Sequence, residues 1–198
     1  MNQKRYKCTV IGDYCVGKTS ILNAYLGKSI ENVQSTLGID FFTKSVLVKG
    51  ETVVMTLWDT AGAERFHSLT DSYLRDSNIV IIVYDLTKST SNLSYWMRRV
   101  EQHRPQTVGI LGNKNDMTTQ YSEDLQDILF PWTRQHWNIV NGHCSSRETT
   151  SVKTFFKRCL LSMVKEDINI NETFLKLDGP FKIDTLRVKE SNIRTCCS

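Results

Sequence analysis

Apolar residues along this chain fall into short blocks of two alternating kinds. The first kind has no helical period. Tyr6 to Gly12 (YKCTVIG) reads as a buried strand ending in glycine, and NIVIIVYDL (Asn78 to Leu86) is the all-apolar run of a strand covered on both faces of a parallel sheet. TVGILGNKND (Thr107 to Asp116) is a further strand followed by a loop, while Phe41 to Val48 and Thr52 to Trp58 flank a Lys49-Gly50 turn as a β-hairpin. The second kind repeats at helical spacing. Lys18 to Leu26 is one such segment; a second opens at a Ser or Asn cap and carries Leu93, Trp96, Met97 and Val100 on one face. Ser122 is placed to cap a third, with Glu123 and Asp124 in its first turn, and Pro131 must kink that helix or begin another. A closing helix aligns Val152, Phe155, Phe156, Cys159, Leu160 and Met163. Strands alternating with helices predict an α/β fold with a mostly parallel sheet.

From about Glu166 the periodicity dissolves. Residues 167 to 195 mix charges with NIN and DGP turns, so the chain divides into a folded domain over residues 5–165 and a tethering tail over residues 166–198. An apolar share of 40% and a charged share of 23% are ordinary for a globular protein, and 198 residues suffice for one real core. The net charge of +4 is weak and scattered, which argues against nucleic acid as a partner. No h-region follows the basic N-terminus, no apolar run is long enough to cross a bilayer, and Asn2 excludes N-myristoylation; no signal peptide is expected. Cys8, Cys15, Cys144 and Cys159 lack metal-like spacing and read as reduced thiols; Cys196 and Cys197 stand apart as a pair next to the C-terminus.

The chemistry begins at GDYCVGKT (Gly12 to Thr19), which matches G-x-x-x-x-G-K-[ST] between a predicted strand and a predicted helix. Backbone N–H groups of such a loop and of the helix start point at phosphate oxygens, and its glycines let the chain approach them closely. Asp13, Tyr14, Cys15, Val16, Gly17, Lys18, Thr19 and Ser20 are therefore candidate nucleotide-binding residues. Lys18 would neutralise the β- and γ-phosphates, and the Thr19 hydroxyl would bind Mg²⁺. GNKND (Gly112 to Asp116) selects the base. Asp116 can accept two hydrogen bonds from the guanine edge, which adenine cannot offer, and a site built on such a pair rejects the analogue lacking it. Asn113 can brace the loop, and the Lys114 stem can lie along the base.

Together GDYCVGKT, WDTAGAERF (Trp58 to Phe66), GNKND and the two-cysteine end resemble the Ras superfamily of small GTPases, and within it the Rab branch. The resemblance covers about residues 5 to 165 and the last three. It implies a P-loop NTPase G-domain, a mostly parallel six-stranded sheet with helices on both faces, with GTP/GDP and Mg²⁺ bound. STLGIDFF (Ser35 to Phe42) is similar to a Rab first switch. RFHSLTDSYLRDS (Arg65 to Ser77) and VYDLT (Val83 to Thr87) look most like the Golgi-associated, retrograde-traffic Rabs. By that resemblance Thr36 binds the metal and senses the γ-phosphate, Asp59 holds the metal through water, and Gly62 donates its N–H to the γ-phosphate. Lys18, Thr36 and Gly62 are thus the implied catalytic groups; Thr19, Thr36 and Asp59 are the implied metal set. CSSR (Cys144 to Arg147) sits where the family has its base loop, so Ser145 and Ser146 would present backbone groups to guanine, with Arg147 in place of the usual lysine. Leu37, Gly38, Ile39, Asp40, Phe41, Trp58 and Tyr73 are the implied effector surface; for Trp58, plain core packing is the other reading.

Several positions depart from that pattern. Ala63 stands where the family carries the glutamine that orients the attacking water, and loss of one transition-state donor is worth roughly 3 kcal/mol, or about a hundredfold in rate. Tyr14 occupies a loop position that related proteins give to Gly or Ser, close to the γ-phosphate. Ser29, Ile30 and Val33 replace the aromatic groups expected over base and phosphates, which predicts faster nucleotide exchange. GTP should bind and hydrolyse slowly unless an activating partner supplies the missing glutamine. The Cys-Cys-X end resembles a doubly geranylgeranylated terminus at Cys196 and Cys197, and two chains anchor where one is marginal.

The expected partners follow from the resemblance: an exchange factor, a GTPase-activating protein, a GDP-dissociation inhibitor, a prenylation escort and effectors, around a monomer that cycles between the cytosol and the cytoplasmic face of an internal membrane such as the Golgi. The role is that of a switch in vesicle traffic. The competing readings are a GTP-locked recruiting module and a small nucleotide kinase. The kinase reading leaves the guanine loop, the DTAG turn and the cysteine end without a role.

Overall fold

The computed structural model describes residues 3–31, 33–36, 38–48, 50–61, 67–88, 92–118, 125–132 and 138–164, with backbone alone at 67–70, 126–127 and 164. Its strands are β1 (Arg5–Ile11), β2 (Ile39–Val48), β3 (Glu51–Thr60), β4 (Ile79–Asp85), β5 (Thr107–Asn113) and β6 (Asn138–His143). The helices are α1 (Lys18–Leu26), α2 (His67–Leu74), α3 (Leu93–Glu101), α4 (Leu125–Leu129) and α5 (Thr149–Val164). The strands form one six-stranded sheet in the order β2-β3-β1-β4-β5-β6. Only the β2–β3 pair is antiparallel; β1 joins β3 and β4, and β5 joins β4 and β6, all in parallel.

Period-2 alternation on buried strands makes two cores rather than one. On β4, Ile79, Ile81 and Val83 face a core with α1 and α5, while Val80, Ile82 and Tyr84 face one with α2, α3 and α4. In the first core the rings of Tyr25 and Phe156 stack at 3.9 Å and 11° between α1 and α5. In the second, Leu74, Leu93, Trp96, Met97 and Val100 close over the sheet. The central strands are therefore buried throughout and apolar along most of their length, as expected of a sheet sandwiched between helices.

Three boundaries differ from the sequence reading. The hairpin is longer at its open end, running in register from Val48 opposite Glu51 to Ile39 opposite Thr60, because ladder pairing carries the polar Asp40 and Asp59 along. The sixth strand, NIVNGH, buries only Val140 fully, and its polar, half-exposed pattern lacks the apolar run that marks the other parallel strands. The helix before Pro131 stops at Leu129, and Phe130–Trp132 follows as a 3-10 turn, since proline clashes with the preceding turn and disfavours helix at the residue before it. Ser122, Glu123 and Asp124, and the whole tail beyond Val164, lie outside the described residues. Cys8, Cys15, Cys144 and Cys159 are free thiols; burial pushes the last two up to about 12, so they are protonated packing groups. No described helix is long and apolar enough to cross a membrane.

Because β1, β3, β4, β5 and β6 run in parallel, their carboxyl ends meet at one edge of the sheet. The loops that leave those ends hold Gly12 to Gly17, Ala61, Leu86, Lys114 and Cys144, and ligands of open α/β sheets bind there.

Candidate functional site

The loop between β1 and α1 turns on residues that must adopt positive φ. Gly12 has φ 140° and Gly17 φ 95°, and Cys15, exposed, is at φ 60°. A Cβ at Gly12 would lie 2.1 Å from the Val83 carbonyl oxygen, and one at Gly17 would lie 2.3 Å from the Asn113 side-chain nitrogen. Both glycines are thus demanded by close approach as well as by backbone conformation. Val16 is buried, and its carbonyl accepts a 2.9 Å hydrogen bond from Asn113 Nδ2.

Lys18 opens α1 and folds back over the loop, its Nζ donating to the carbonyls of Gly12 at 3.0 Å and Asp13 at 2.7 Å. Burial lowers its pKa to about 8 against the pull of the Asp59 and Asp13 carboxylates. A desolvated ammonium ringed by loop carbonyls is a ready partner for phosphate oxygens. The Asp13 side chain faces elsewhere: its two oxygens accept from Trp96 Nε1 at 2.9 Å and Asn92 Nδ2 at 3.0 Å. Both carboxylate oxygens of Asp13 are thus committed to α3 and turned away from the loop's mouth. Asn92 takes the N-cap position of α3, yet its side chain makes no capping bond because it is committed to Asp13.

Thr19, Thr36 and Asp59, far apart in sequence, converge. The Asp59 Oδ2 accepts from Thr19 Oγ1 at 2.7 Å and from Thr36 Oγ1 at 3.2 Å, and the two hydroxyls are 2.9 Å apart. Asp59 has no exposed surface; burial raises its pKa, opposed by the Thr19 bond and the Lys18 charge. Its other oxygen, Oδ1, is buried with no hydrogen-bond partner among the described residues. One carboxylate and two hydroxyls, with one carboxylate oxygen unspent, fit Mg²⁺, which takes few protein oxygens and completes its shell with water and phosphate. No cluster of three or more His, Cys, Asp or Glu that could hold another metal occurs among the described residues.

The base-side loops are braced by two residues. Asn113, 1% exposed, donates to the phosphate loop at Val16 and accepts from the Ser146 N–H at 3.0 Å, joining three loops through one amide. Ser146 thus spends its N–H on Asn113 instead of keeping it for a base, and the Ser145 hydroxyl accepts from the Arg147 N–H at 3.1 Å. Lys114, at φ 66°, sends its Nζ to Asp85 Oδ2 at 2.7 Å. Asp85 is buried; burial pushes its carboxyl up, but the Lys114 and Thr87 bonds outweigh that and hold it below the usual range. Asp116 is exposed, and Arg147 Nη1 lies 3.6 Å from its Oδ2, so the arginine faces this carboxylate.

Asp85, Asn92 and Trp96 were not read from sequence as site residues. Asp85 carried a signal: a lone carboxylate closing an all-apolar strand. Asn92 and Trp96 carried none, since a Trp on the apolar face of a helix reads as core.

Two expected features are placed on the surface. Phe41, Trp58 and Tyr73 form a row, with centroids 6.2 Å apart for the first pair and 6.5 Å for the second, and Lys7 Nζ sits 4.2 Å over the Trp58 ring. Phe41 is 70% exposed, while Trp58 and Tyr73 are half-buried and Trp58 belongs to neither core, so the row opens to solvent at Phe41. Gly38, Ile39 and Asp40 lead into it, the Gly38 carbonyl accepting from Ala61 N–H at 2.9 Å. Tyr14 is 56% exposed and reaches across to Ser35, hydroxyl to hydroxyl, at 3.4 Å. Ile30 packs against the first core and the Ser29 hydroxyl accepts from the Glu31 N–H, so neither offers a ring to a nucleotide. Ser20 continues α1 behind Thr19. Leu37, Gly62, Ala63, Cys196 and Cys197 lie outside the described residues. The family model described as the Ras family matches residues 7–166.

Proposed function

The chain belongs to the Ras family of small GTPases, and from that premise we propose that it is a Rab-type switch of vesicle traffic with slow intrinsic hydrolysis. As a Ras-family domain it is a GTP-binding molecular switch that turns over GTP to GDP and phosphate and works with exchange factors, activating proteins and effectors. The Rab assignment is supported by the Phe41–Trp58–Tyr73 row, exposed at Phe41 and half-buried at the other two, and by the STLGIDFF and RFHSLTDSYLRDS segments. The same reading has prenyl groups on Cys196 and Cys197, delivery by a dissociation inhibitor and a prenylation escort, and residence on the cytoplasmic face of an internal membrane, the Golgi being the nearest match.

The observation that carries the switch is the convergence of Thr19 and Thr36 on Asp59, whose Oδ1 is left without a partner. Thr36 comes from the loop ahead of β2 and Asp59 from the end of β3, so whatever engages both hydroxyls also fixes the position of the first switch. Mg²⁺ bound here supplies charge neutralisation of the β- and γ-phosphate oxygens. Lys18 trades its loop carbonyls for phosphate oxygens, Thr36 orients toward the terminal phosphate, and Asn113 keeps the base loop and phosphate loop in register. In hydrolysis, a water oxygen bonds to the γ-phosphorus as the bond to the β–γ bridging oxygen breaks, and the water proton leaves with inorganic phosphate. Holding that water is the task for which Ala63 has no polar group.

Single-turnover hydrolysis of GTP by the wild type and by Ala63→Gln tests this reading. A rise of about tenfold or more in the variant is the expected result, since one transition-state donor at full effect is worth about a hundredfold. An unchanged rate would count against slow hydrolysis through Ala63 and favour the GTP-locked module, for which the Tyr14–Ser35 contact is the structural motive.

A further inference from the structure

Two separate ties join the phosphate loop to the segment ahead of β2. The inner one is the Thr19–Thr36–Asp59 set, built on a buried carboxylate. The outer one is a single contact between exposed residues, Tyr14 Oη to Ser35 Oγ at 3.4 Å, and it involves no charged group. Tyr14 departs from the loop between Gly12 and Gly17, whose conformations are forced by close packing against Val83 and Asn113, so its base is rigid. Ser35 is the residue next to Thr36, and anything that holds Ser35 limits how far Thr36 can swing from Asp59. The elements on the other side of Ser35 supply no replacement ring, because Ile30 is turned into the first core.

We propose that Tyr14 is a positioning residue of the nucleotide site: its phenol, bonded to Ser35, is a strut that keeps the first switch closed on bound guanine nucleotide without help from the metal. The inference rests on the guanine-nucleotide switch argued above and adds to it a device for retaining the nucleotide. The inner tie is built on a charged group, the Asp59 carboxylate, and its two hydroxyls are the ones a bound metal would engage. The outer tie is neutral and independent of it. A rigid ring hydrogen-bonded across the mouth slows opening because the bond must break before the switch can leave. This also answers what holds the nucleotide where Ser29, Ile30 and Val33 present no aromatic group.

The test is the dissociation rate of a fluorescent guanosine triphosphate analogue from the full chain, with Mg²⁺ and again with excess EDTA. The proteins are the wild type, Tyr14→Phe, Ser35→Ala, the double variant and Ser35→Thr. Tyr14 and Ser35 are both exposed, so the variants are expected to fold, and their melting temperatures check this. Each single loss of a hydroxyl should speed release by about two- to threefold, the lower end of the worth of one hydrogen bond for a long, exposed contact. The double variant should be no faster than the faster single variant, Ser35→Thr should behave as wild type, and the acceleration should persist in EDTA. Unchanged release from Tyr14→Phe, multiplied effects in the double variant, or loss of the effect on chelation would each overturn the strut while leaving the switch intact. Failure of the wild type to hold guanine nucleotide at all would overturn the function reading, and the strut with it.

Discussion

At the scale of single residues, Lys18 is the group whose chemistry is most altered by its surroundings. Burial has brought its pKa to about 8, so near that pH the free protein carries the side chain partly neutral. Phosphate oxygens restore the charged form by Coulomb attraction, which raises the pKa of the complex above that of the free protein. Nucleotide binding must then take up protons in the window from about 8 upward to the ordinary lysine range, and affinity must fall as pH rises through it. Calorimetric titrations at pH 8 in buffers of different ionisation enthalpy should give an uptake of roughly half a proton, shrinking toward zero near pH 6. An uptake of zero at pH 8 would mean that Lys18 is already fully charged in the free protein. The pairing at Asp59 works in the other sense: burial raises that carboxyl, and the partnerless Oδ1 marks where a cation would lower it again.

At the scale of elements, α3 acts as a brace that local sequence does not reveal. Its amino end holds Asp13 of the phosphate loop through Trp96 and Asn92, and its carboxyl half holds Asp71 of α2 through Arg99, at 2.7 Å. One helix thus touches the phosphate loop and the second-switch helix at once. Trp96 is 3% exposed, so Trp96→Phe keeps most of the packing and removes the indole donor to Asp13. That change leaves one oxygen of a charged partner unbonded and should weaken guanine-nucleotide affinity by about threefold to tenfold, with a small loss in stability, as equilibrium binding and thermal melts would show. Equal losses of affinity and stability would instead mark Trp96 as packing alone. The helix's own boundaries were legible, since Leu93, Trp96, Met97 and Val100 repeat at its period. Its second role was not, because nothing in a helical stripe says that an indole N–H will meet a loop carboxylate contributed from more than eighty residues upstream.

At the scale of the whole molecule, a sheet covered on both faces divides stability between two cores. The first contains the Tyr25–Phe156 stack, through which α5 is pinned on the carboxyl end of α1, the helix that follows the phosphate loop. Phe156 has no exposed surface, and Phe156→Ala should cost about 3–5 kcal/mol, read as a lowered urea midpoint, because a cavity of that size cannot collapse between two helices. The nucleotide should partly rescue the variant, since ligand that binds only the folded form adds stability by mass action. A loss under about 1 kcal/mol would show that the stack is dispensable.

The sequence by itself determined the parts whose physics is local. Glycine at positions of forced positive φ, an apolar run long enough for a covered strand, and a lysine and threonine opening a helix are each legible within a few residues. From them came the α/β class, the phosphate loop, the base loop and the helices α1, α3 and α5. What only the tertiary structure decided depends on residues brought together by the parallel sheet: Thr36 and Asp59 on Thr19, Asp85 under Lys114, Asn113 joining three loops, and Tyr14 against Ser35. The weak strand β6 belongs there too, since its pairing with β5, not its own composition, makes it a strand. The reason is range. Backbone conformation and hydrophobic period act over one turn or one strand, whereas a hydrogen bond between side chains on different loops exists only after the sheet has set the distance between them.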